Sequence, residues 1–155
     1  MNITFKTTDG TFLFRVGAIV IQDGCLLTLE REDHFAIPGG RVMLHEDVET
    51  AVLREVQEEL GVQGKLVRGL WMNQCFYHSA FRSAQVHEIC VYFLVDIDRQ
   101  AFSGPADQIV RYEEEKCHTF RWIPLDSVKN LNLYPRFIRK EIQNLPDTLT
   151  LITER

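Results

Sequence analysis

The chain has 155 residues, and this length predicts one domain over residues 1–155 that can bury a hydrophobic core without disulfide or metal staples. Hydrophobic residues make up 45% and charged residues 25% of the sequence, as in soluble globular proteins, and the formal net charge of −5 argues against a surface dedicated to nucleic acid or to an anionic membrane. The polar N-terminal segment, the lack of an apolar run of about 20 residues and four scattered cysteines predict a cytoplasmic protein with free thiols.

The first strands are predicted near the N-terminus. Apolar and β-branched residues fill positions 11–21, TFLFRVGAIVI, and positions 25–32, CLLTLERE. The polar QDG between them places Asp23 and Gly24 at a tight turn, because this dipeptide suits the backbone of a short hairpin loop. These residues therefore predict an antiparallel β-hairpin.

A helix is predicted next, over about residues 48–60. Its apolar residues recur at spacings of three and four, and they are Val48, Ala51, Val52, Val56 and Leu60. Glu46 or Asp47 can cap its start, and Gly61 suits the left-handed conformation just past its end. One face of this helix is thus predicted to pack against a core.

The C-terminal half predicts further strands and a second helix. Residues 65–78 and 86–97 are rich in β-branched and aromatic residues and are separated by a polar segment, so they predict a second antiparallel pair. Residues 99–112 are interpreted as a polar loop and residues 117–125 as a short strand, and a helix is expected from about Pro135 to Leu145. This order of elements predicts an α/β fold whose mixed sheet is covered on two faces.

Three glutamates crowd one turn of the first predicted helix. Because each residue advances about 100° around a helix, Glu55, Glu58 and Glu59 fall within one sector about 100° wide. Their repulsion is relieved if a cation lies among them, and Arg54 can brace Glu58 from four residues away. Hard cations such as Mg²⁺ take oxygen ligands, usually from a few carboxylates and from the phosphates of the substrate. A solvated acidic face is the alternative interpretation.

The residues around these glutamates follow a longer pattern. Gly40 is followed after five residues by Glu46, and after seven more by Arg54-Glu55-Val56-Gln57-Glu58-Glu59-Leu60-Gly61-Val62. This segment resembles the signature box of the Nudix hydrolases, G-x5-E-x7-R-E-U-x-E-E-x-G-U, in which U is a bulky aliphatic residue. Every specified position is filled, and composition alone gives such a match with a chance on the order of 10⁻¹⁰ per starting point.

The resemblance implies a fold and an activity. The fold is an α/β/α sandwich around a mixed β-sheet, in which the box forms a loop-helix-loop. The activity is hydrolysis of a pyrophosphate bond, by attack of water at phosphorus, in a nucleoside diphosphate linked to another moiety. A nucleoside triphosphate, a dinucleoside polyphosphate and a nucleotide sugar all belong to this class.

The resemblance also implies roles for the box residues. Glu55, Glu58 and Glu59, together with the Gly40 carbonyl, would hold Mg²⁺ or, as a substitute, Mn²⁺. Either Glu55 or Glu58 is the expected general base. Two further roles are implied: Arg54 would orient the glutamates, and Glu46 would fasten the loop at the helix entrance.

Other polar residues leave alternatives open. Glu113, Glu114, Glu115 or His118 could supply a distal ligand or base, or the site could lack one, and a solvated charge run is the alternative interpretation of the glutamates. His87-Glu88 is either a pair on a solvent-facing edge or a pair that reaches the metal site. Candidates for phosphate contact, against surface solvation, are Arg41, Arg68, Arg82 and Arg111.

The predicted partner is a small-molecule nucleotide substrate, with no membrane or nucleic acid, and a homodimer is compatible with the resemblance. The alternative to an enzyme is a catalytically silent Nudix-fold module that binds or senses a nucleotide. Such modules usually carry substitutions at the box glutamates, whereas the box of this chain is intact.

Overall fold

A computed structural model describes residues 1–155 of the protein. The strands are β1 (Thr4–Thr7), β2 (Gly10–Ile19), β3 (Ile21–Gln22), β4 (Cys25–Glu30), β5 (Phe35–Ala36), β6 (Gly39–Arg41), β7 (Lys65–Ser79), β8 (Ala84–Asp96), β9 (Gln108–Glu113), β10 (Lys116–Pro124), β11 (Leu133–Tyr134) and β12 (Thr150–Glu154). The helices are α1 (Val48–Leu60), α2 (Leu125–Val128) and α3 (Ile138–Glu141), with a 3-10 turn at Arg99–Ala101. None of these helices has the length and apolar character of a membrane span.

The strands form two mixed sheets. The first has the order β1-β2-β8-β7-β12, with β6 also paired to β2, and the second has the order β11-β5-β4-β10-β9, with β3 also paired to β4. In the first sheet β2 and β8 run parallel while β7 and β8 run antiparallel. The predicted α/β fold class with mixed pairing is confirmed, and the strands are divided between two sheets.

Two cores lie on opposite faces of the strands. Because side chains alternate along a strand, Ala18 and Phe93 pack with the buried side of α1, whereas their neighbours Ile19 and Tyr92 pack with α2 and α3 on the other face. Helices therefore cover both faces, as an α/β/α sandwich requires. The arrangement fixes α1 against the first core and leaves its glutamates beyond that core.

The second predicted strand pair is confirmed, and the first is confirmed only at its turn: β4 pairs with the two-residue β3, whereas β2 lies in the other sheet and pairs with β8. β3 and β4 pair across Asp23 and Gly24, whose φ angles of 52° and 72° are those of a tight hairpin turn. β7 and β8 form the second antiparallel pair over almost their whole lengths.

Two predicted segments differ from the structure. The second helix is shorter than 135–145, because at both ends the amide of residue i donates to the carbonyl of residue i−3, as Arg139 does to Arg136 and Asn144 to Glu141, so only Ile138–Glu141 is α-helical. The expected loop 99–112 includes β9, because Ile109 is buried opposite Phe120 and draws this segment into the second sheet.

Candidate active site

The helix α1 sets the direction of every glutamate in the acidic turn. Its buried residues are Ala51, Val52, Val56 and Leu60. Of the two predicted caps, Asp47 is the one that closes the helix start, since its Oδ1 accepts a hydrogen bond of 2.7 Å from the Thr50 amide. Gly61 ends the helix in the left-handed conformation, at a φ of 71°, as predicted.

The glycines before the helix bring a strand against one glutamate. Gly39 and Gly40 lie in β6, opposite Gly17 and Val16 of β2. A β-carbon at Gly40 would lie 2.1 Å from the carboxyl carbon of Glu55, and one at Gly39 would lie 2.1 Å from the Val16 carbonyl oxygen. Only glycine permits both approaches, so β6 and the Glu55 carboxylate are in direct contact.

Arg54 connects the loop to the glutamates. Its Nε and Nη2 donate to the two carboxylate oxygens of Glu46 at 2.7 and 2.9 Å, and its Nη1 donates to Glu55 Oε1 at 2.8 Å. Nη1 also lies 3.3 Å from Glu58 Oε2, and Nη2 donates to the Arg41 carbonyl at 2.9 Å. One rigid guanidinium group thus contacts three carboxylates and the loop, while the orienting role of Arg54 and the fastening role of Glu46 stay predictions.

Glu46 fastens the loop at both of its oxygens. Besides the two bonds from Arg54, its Oε2 accepts a hydrogen bond of 2.9 Å from the Met43 amide. The hydrogen bonds from Arg54 are the main cause that lowers the pKa of Glu46 below its ordinary value. Glu46 is therefore an ionised structural anchor rather than a group poised for proton transfer.

Glu55 and Glu59 have a different electrostatic environment. Burial raises the pKa of Glu55 above its ordinary value although Arg54 acts in the opposite direction. Burial, followed by repulsion from Glu55, raises the pKa of Glu59 to about 8, against a backbone hydrogen bond from Gly39. Oε2 of Glu59 is buried and has no hydrogen-bond partner. Glu55 has the charge of Arg54 beside it, whereas the buried Glu59 oxygen has no partner, so a further positive charge next to Glu59 would be stabilising.

The residue types at this place fit a hard divalent cation. The buried Glu59 oxygen without a partner costs roughly 1–3 kcal/mol, which a bound cation would offset. Carboxylate oxygens suit Mg²⁺ and Mn²⁺. The structure holds no preformed group of three or more metal-ligating side chains, and the Glu58 side chain is 50% exposed. Glu55 and Glu59 are thus the inner members of the predicted ligand set, and Glu58 lies at its rim.

The candidate distal groups lie apart from the box contacts. Glu114, at a φ of 55°, stands in the turn between β9 and β10, and His118 Nε2 lies 3.8 Å from Glu113 Oε2. None of these candidates makes a hydrogen bond or ion pair with the glutamates of α1. Arg111, a candidate for phosphate contact, lies against Gly61: a β-carbon on Gly61 would come within 2.2 Å of Arg111 Nη2. The positive charge of Arg111 is favourable there, because the C-terminal end of a helix carries a partial negative charge.

His87 and Glu88 point to opposite faces of β8. The His87 ring packs on the rings of Phe12 and Phe76, with centroid distances of 5.6 and 4.4 Å. Glu88 Oε2 accepts a hydrogen bond of 3.2 Å from the Tyr77 hydroxyl on the other face. The two residues therefore do not act as one pair, and neither reaches the box glutamates.

Arg15 is a charged residue that the motif analysis missed. It lies on β2 on the same face as Glu88. Burial is the largest single effect and lowers its pKa, but attraction to Glu88 together with Cys90, Tyr92 and Tyr77 leaves the pKa raised. Its charge also acts to lower the pKa of Glu59. The sequence did carry a signal, since Arg15 is the single charged residue in the apolar run 11–21.

Known proteins resemble this chain in sequence. The sequence model of the NUDIX domain matches residues 11–145. An ADP-ribose pyrophosphatase of Methanocaldococcus jannaschii is 34% identical over 87 residues, which are 53% of this chain and 49% of that protein. A MutT-like protein of Streptomyces ambofaciens is 45% identical over 49 residues, which are 30% of this chain and 32% of that protein. The matches thus span half or less of these curated relatives.

Solved structures share the fold at lower identity. The mutator MutT protein of Bacillus halodurans superposes with a TM-score of 0.65 at 18% identity, over 91% of this chain and 88% of that one. An ADP-ribose pyrophosphatase of Streptococcus suis superposes with a TM-score of 0.58 at 16% identity, over 90% of this chain and 98% of that one. Identities this low establish the common fold alone.

Proposed function

We propose that this chain, which belongs to the NUDIX domain family, is a metal-dependent pyrophosphohydrolase. It would cleave the pyrophosphate bond of a nucleoside diphosphate linked to another moiety, by attack of water at phosphorus. The observation that carries the proposal is the partnerless buried oxygen of Glu59 beside a Glu55 that Arg54 holds in place. A site that only bound an anionic nucleotide would have no need of two adjacent carboxylates, one of them with a buried oxygen that lacks a partner.

The chain's own oxygens would hold the cation. The proposed ligands are Glu55, Glu58 and Glu59 with the Gly40 carbonyl, and the proposed cation is Mg²⁺ or Mn²⁺. When bound, such a cation neutralises phosphoryl oxygens and lowers the pKa of a water molecule.

The remaining box residues position these ligands. Arg54 fixes the Glu55 carboxylate through one hydrogen bond and is itself held by the paired bonds to Glu46. Glu58 is exposed and only loosely held by Arg54, so its carboxylate is free to accept a proton from an attacking water. Glu55 remains the second candidate for that base.

The proposed substrate class is any small-molecule nucleotide that contains a pyrophosphate bond. The relatives named above are an ADP-ribose pyrophosphatase and a MutT-like protein, and the two names do not select one leaving group. Nucleoside triphosphates, dinucleoside polyphosphates and nucleotide sugars all present a pyrophosphate to the same glutamates. We propose this class of small-molecule nucleotide as the partner.

A substrate panel tests the proposal directly. The purified protein is incubated with Mg²⁺ or Mn²⁺ and members of the three nucleotide classes, and the products are separated and quantified. Release of a nucleoside monophosphate, pyrophosphate or phosphate that stops in the presence of a chelator supports the proposal. Binding of a nucleotide without turnover of any compound would instead support the silent module.

The variant Glu58→Gln sharpens that test. Loss of the carboxylate is expected to lower turnover by about 10² or more while the melting temperature stays near that of the wild type. The matched control is Glu49→Gln, because Glu49 is an exposed acid in the first turn of the same helix. Near-normal turnover of Glu58→Gln would exclude Glu58 as ligand or base.

Compartment and assembly are part of the proposal. The four cysteines are unpaired in the structure, which suits the cytoplasm. Fractionation of cells that express a tagged chain tests this location. Light scattering of the purified protein tests the homodimer.

A further inference from the structure

Two arginines stand directly opposite each other on the first sheet. Arg15 of β2 pairs in register with Arg41 of β6, so their side chains leave the sheet on the same face. Like charges in such a pair destabilise a sheet. Arg41 follows Gly40 directly, about 3.3 Å further along β6, and adjacent strand residues point to opposite faces, so the pair lies next to the Glu55 contact along the strand but leaves the sheet on the other face.

These side chains lack the partners that other arginines of the chain have. The Arg15 guanidinium makes no hydrogen bond or ion pair, and Arg41 takes part in a hydrogen bond only through its backbone carbonyl. Arginine side chains with hydrogen-bond or ion-pair partners are Arg54, Arg68, Arg99, Arg121, Arg136 and Arg139. Arg31, Arg82, Arg111 and Arg155 also lack such partners, but Arg15 and Arg41 are the two that face each other across neighbouring strands, and both are partly exposed. Their donors are therefore available to a ligand.

The charges of Arg15 and Arg41 oppose each other across the two strands. Glu88 is the carboxylate that attracts Arg15, and it is already engaged by the Tyr77 hydroxyl. Two guanidinium groups against one carboxylate leave an excess of one positive charge, which suits a phosphate group.

We propose that Arg15 and Arg41 form a phosphate-binding subsite that is separate from the glutamates. This subsite rests on the proposed function, and it receives a phosphate of the substrate beyond the pyrophosphate bond that is cut. Guanidinium groups bind phosphate oxygens through paired hydrogen bonds, which is why arginine rather than lysine suits the place. Substrates with three or more phosphates are then preferred over nucleotide sugars whose second moiety is neutral.

Anion binding without a cation is the first test. Inorganic tripolyphosphate is titrated calorimetrically into the chelator-treated wild type and the variants Arg15→Met, Arg15→Lys and Arg41→Gln. Arg15→Met and Arg41→Gln are each expected to weaken binding by about ten-fold or more, because a hydrogen bond to a charged group is lost. Arg15→Lys keeps the charge and is expected to fall between these and the wild type. The matched control is Lys65→Gln, which removes one positive charge opposite Asp96, beyond the end of the β2–β8 pairing.

Two outcomes would contradict the proposed phosphate-binding subsite. Failure of the wild type to bind tripolyphosphate does so, as does unchanged binding by a folded Arg15→Met. If Arg15→Met does not fold, Arg41→Gln and Arg15→Lys decide the question in the same way. The titration needs no hydrolysis, so its result stands even if no compound in the substrate panel is cleaved.

The substrate preference is the second test. Arg15→Met is expected to raise KM for a nucleoside triphosphate about ten-fold while KM for a nucleotide sugar stays unchanged. Equal changes for the two substrates would show that Arg15 supports the sheet and does not select the ligand.

Discussion

The Glu55 carboxylate lies directly against Gly40, and it can do so because glycine has no side chain. A β-carbon on Gly40 would fall 2.1 Å from the carboxyl carbon of Glu55 and 2.2 Å from its Oε1. The Glu55 carboxylate therefore occupies the space of a methyl group against β6. Arg54 holds the same carboxylate from the other side at 2.8 Å, so its position is set by two elements.

Gly40→Ala is expected to displace the Glu55 carboxylate and lower kcat/KM by about 100-fold, because an ångström-scale misplacement of a catalytic group has an effect of that size. Steady-state kinetics with the best substrate of the panel measures the loss. The control is Gly69→Ala, whose added methyl approaches the Leu149 side chain at 3.3 Å and the Phe93 ring at 3.7 Å, both without a clash as close as that at Gly40. Full activity of Gly40→Ala would mean that the Glu55 position does not matter to turnover.

Glu46→Gln is expected to reduce both stability and turnover. The variant keeps the shape but removes the charge that Arg54 meets with two hydrogen bonds, so the free energy of unfolding should fall by roughly 1–3 kcal/mol. Urea denaturation followed by circular dichroism measures this change. Glu32→Gln, at an exposed position, serves as control and should leave the urea midpoint in place. An unchanged midpoint for Glu46→Gln would remove Glu46 as the anchor of the loop.

Much of the site could be predicted because its chemistry is local in the sequence. Arg54, Glu55 and Glu58 lie on one helix, where a fixed rotation per residue decides which side chains are neighbours. The family resemblance gave Arg54 and Glu46 separate roles, and the contact between them is a finding of the structure. The Arg15–Arg41 pair could not be predicted in this way, because it depends on the register between β2 and β6, which sequence spacing does not reveal.

The fold, like the site, could be predicted from the sequence where its contacts are local and not where they are distant. Hairpins such as β3–β4 and β7–β8 join neighbouring segments, so turn residues and alternation were sufficient to predict them. β12 pairs in parallel with β7, although 70 residues of chain separate them, and the two-residue β5 and β11 carry no periodicity. Such pairings depend on tertiary packing, which overrides local propensity.

Asp47→Ala is expected to lower stability without lowering turnover. The Asp47 side chain accepts from the Thr50 amide at 2.7 Å, and loss of such a cap costs about 1 kcal/mol. The same samples can be assayed for urea midpoint and kcat. A large fall in kcat at unchanged stability would mean that Asp47 acts in the site, whereas the structure gives it a capping role alone.

Without a divalent cation, the stability of the protein is expected to fall as the pH rises. Burial and repulsion raise the pKa of Glu59 to about 8 in the folded chain, while the unfolded chain keeps the ordinary value of 4.5. The folded state therefore binds the proton more tightly. Its contribution to stability is complete below about pH 4.5 and is lost as the pH rises through about 8.

Glu59→Gln should remove this dependence, because the amide does not titrate. In chelator-treated samples, the free energy of unfolding of the wild type should decline by roughly 2–4 kcal/mol relative to Glu59→Gln between pH 5 and 8.5, at about 1.4 kcal/mol per pKa unit. Saturating Mg²⁺ or Mn²⁺ should flatten the wild-type curve, since a cation supplies the missing charge and stabilises only the folded state. Parallel curves for the two proteins, with and without cation, would show that the Glu59 carboxylate is neither desolvated nor a ligand.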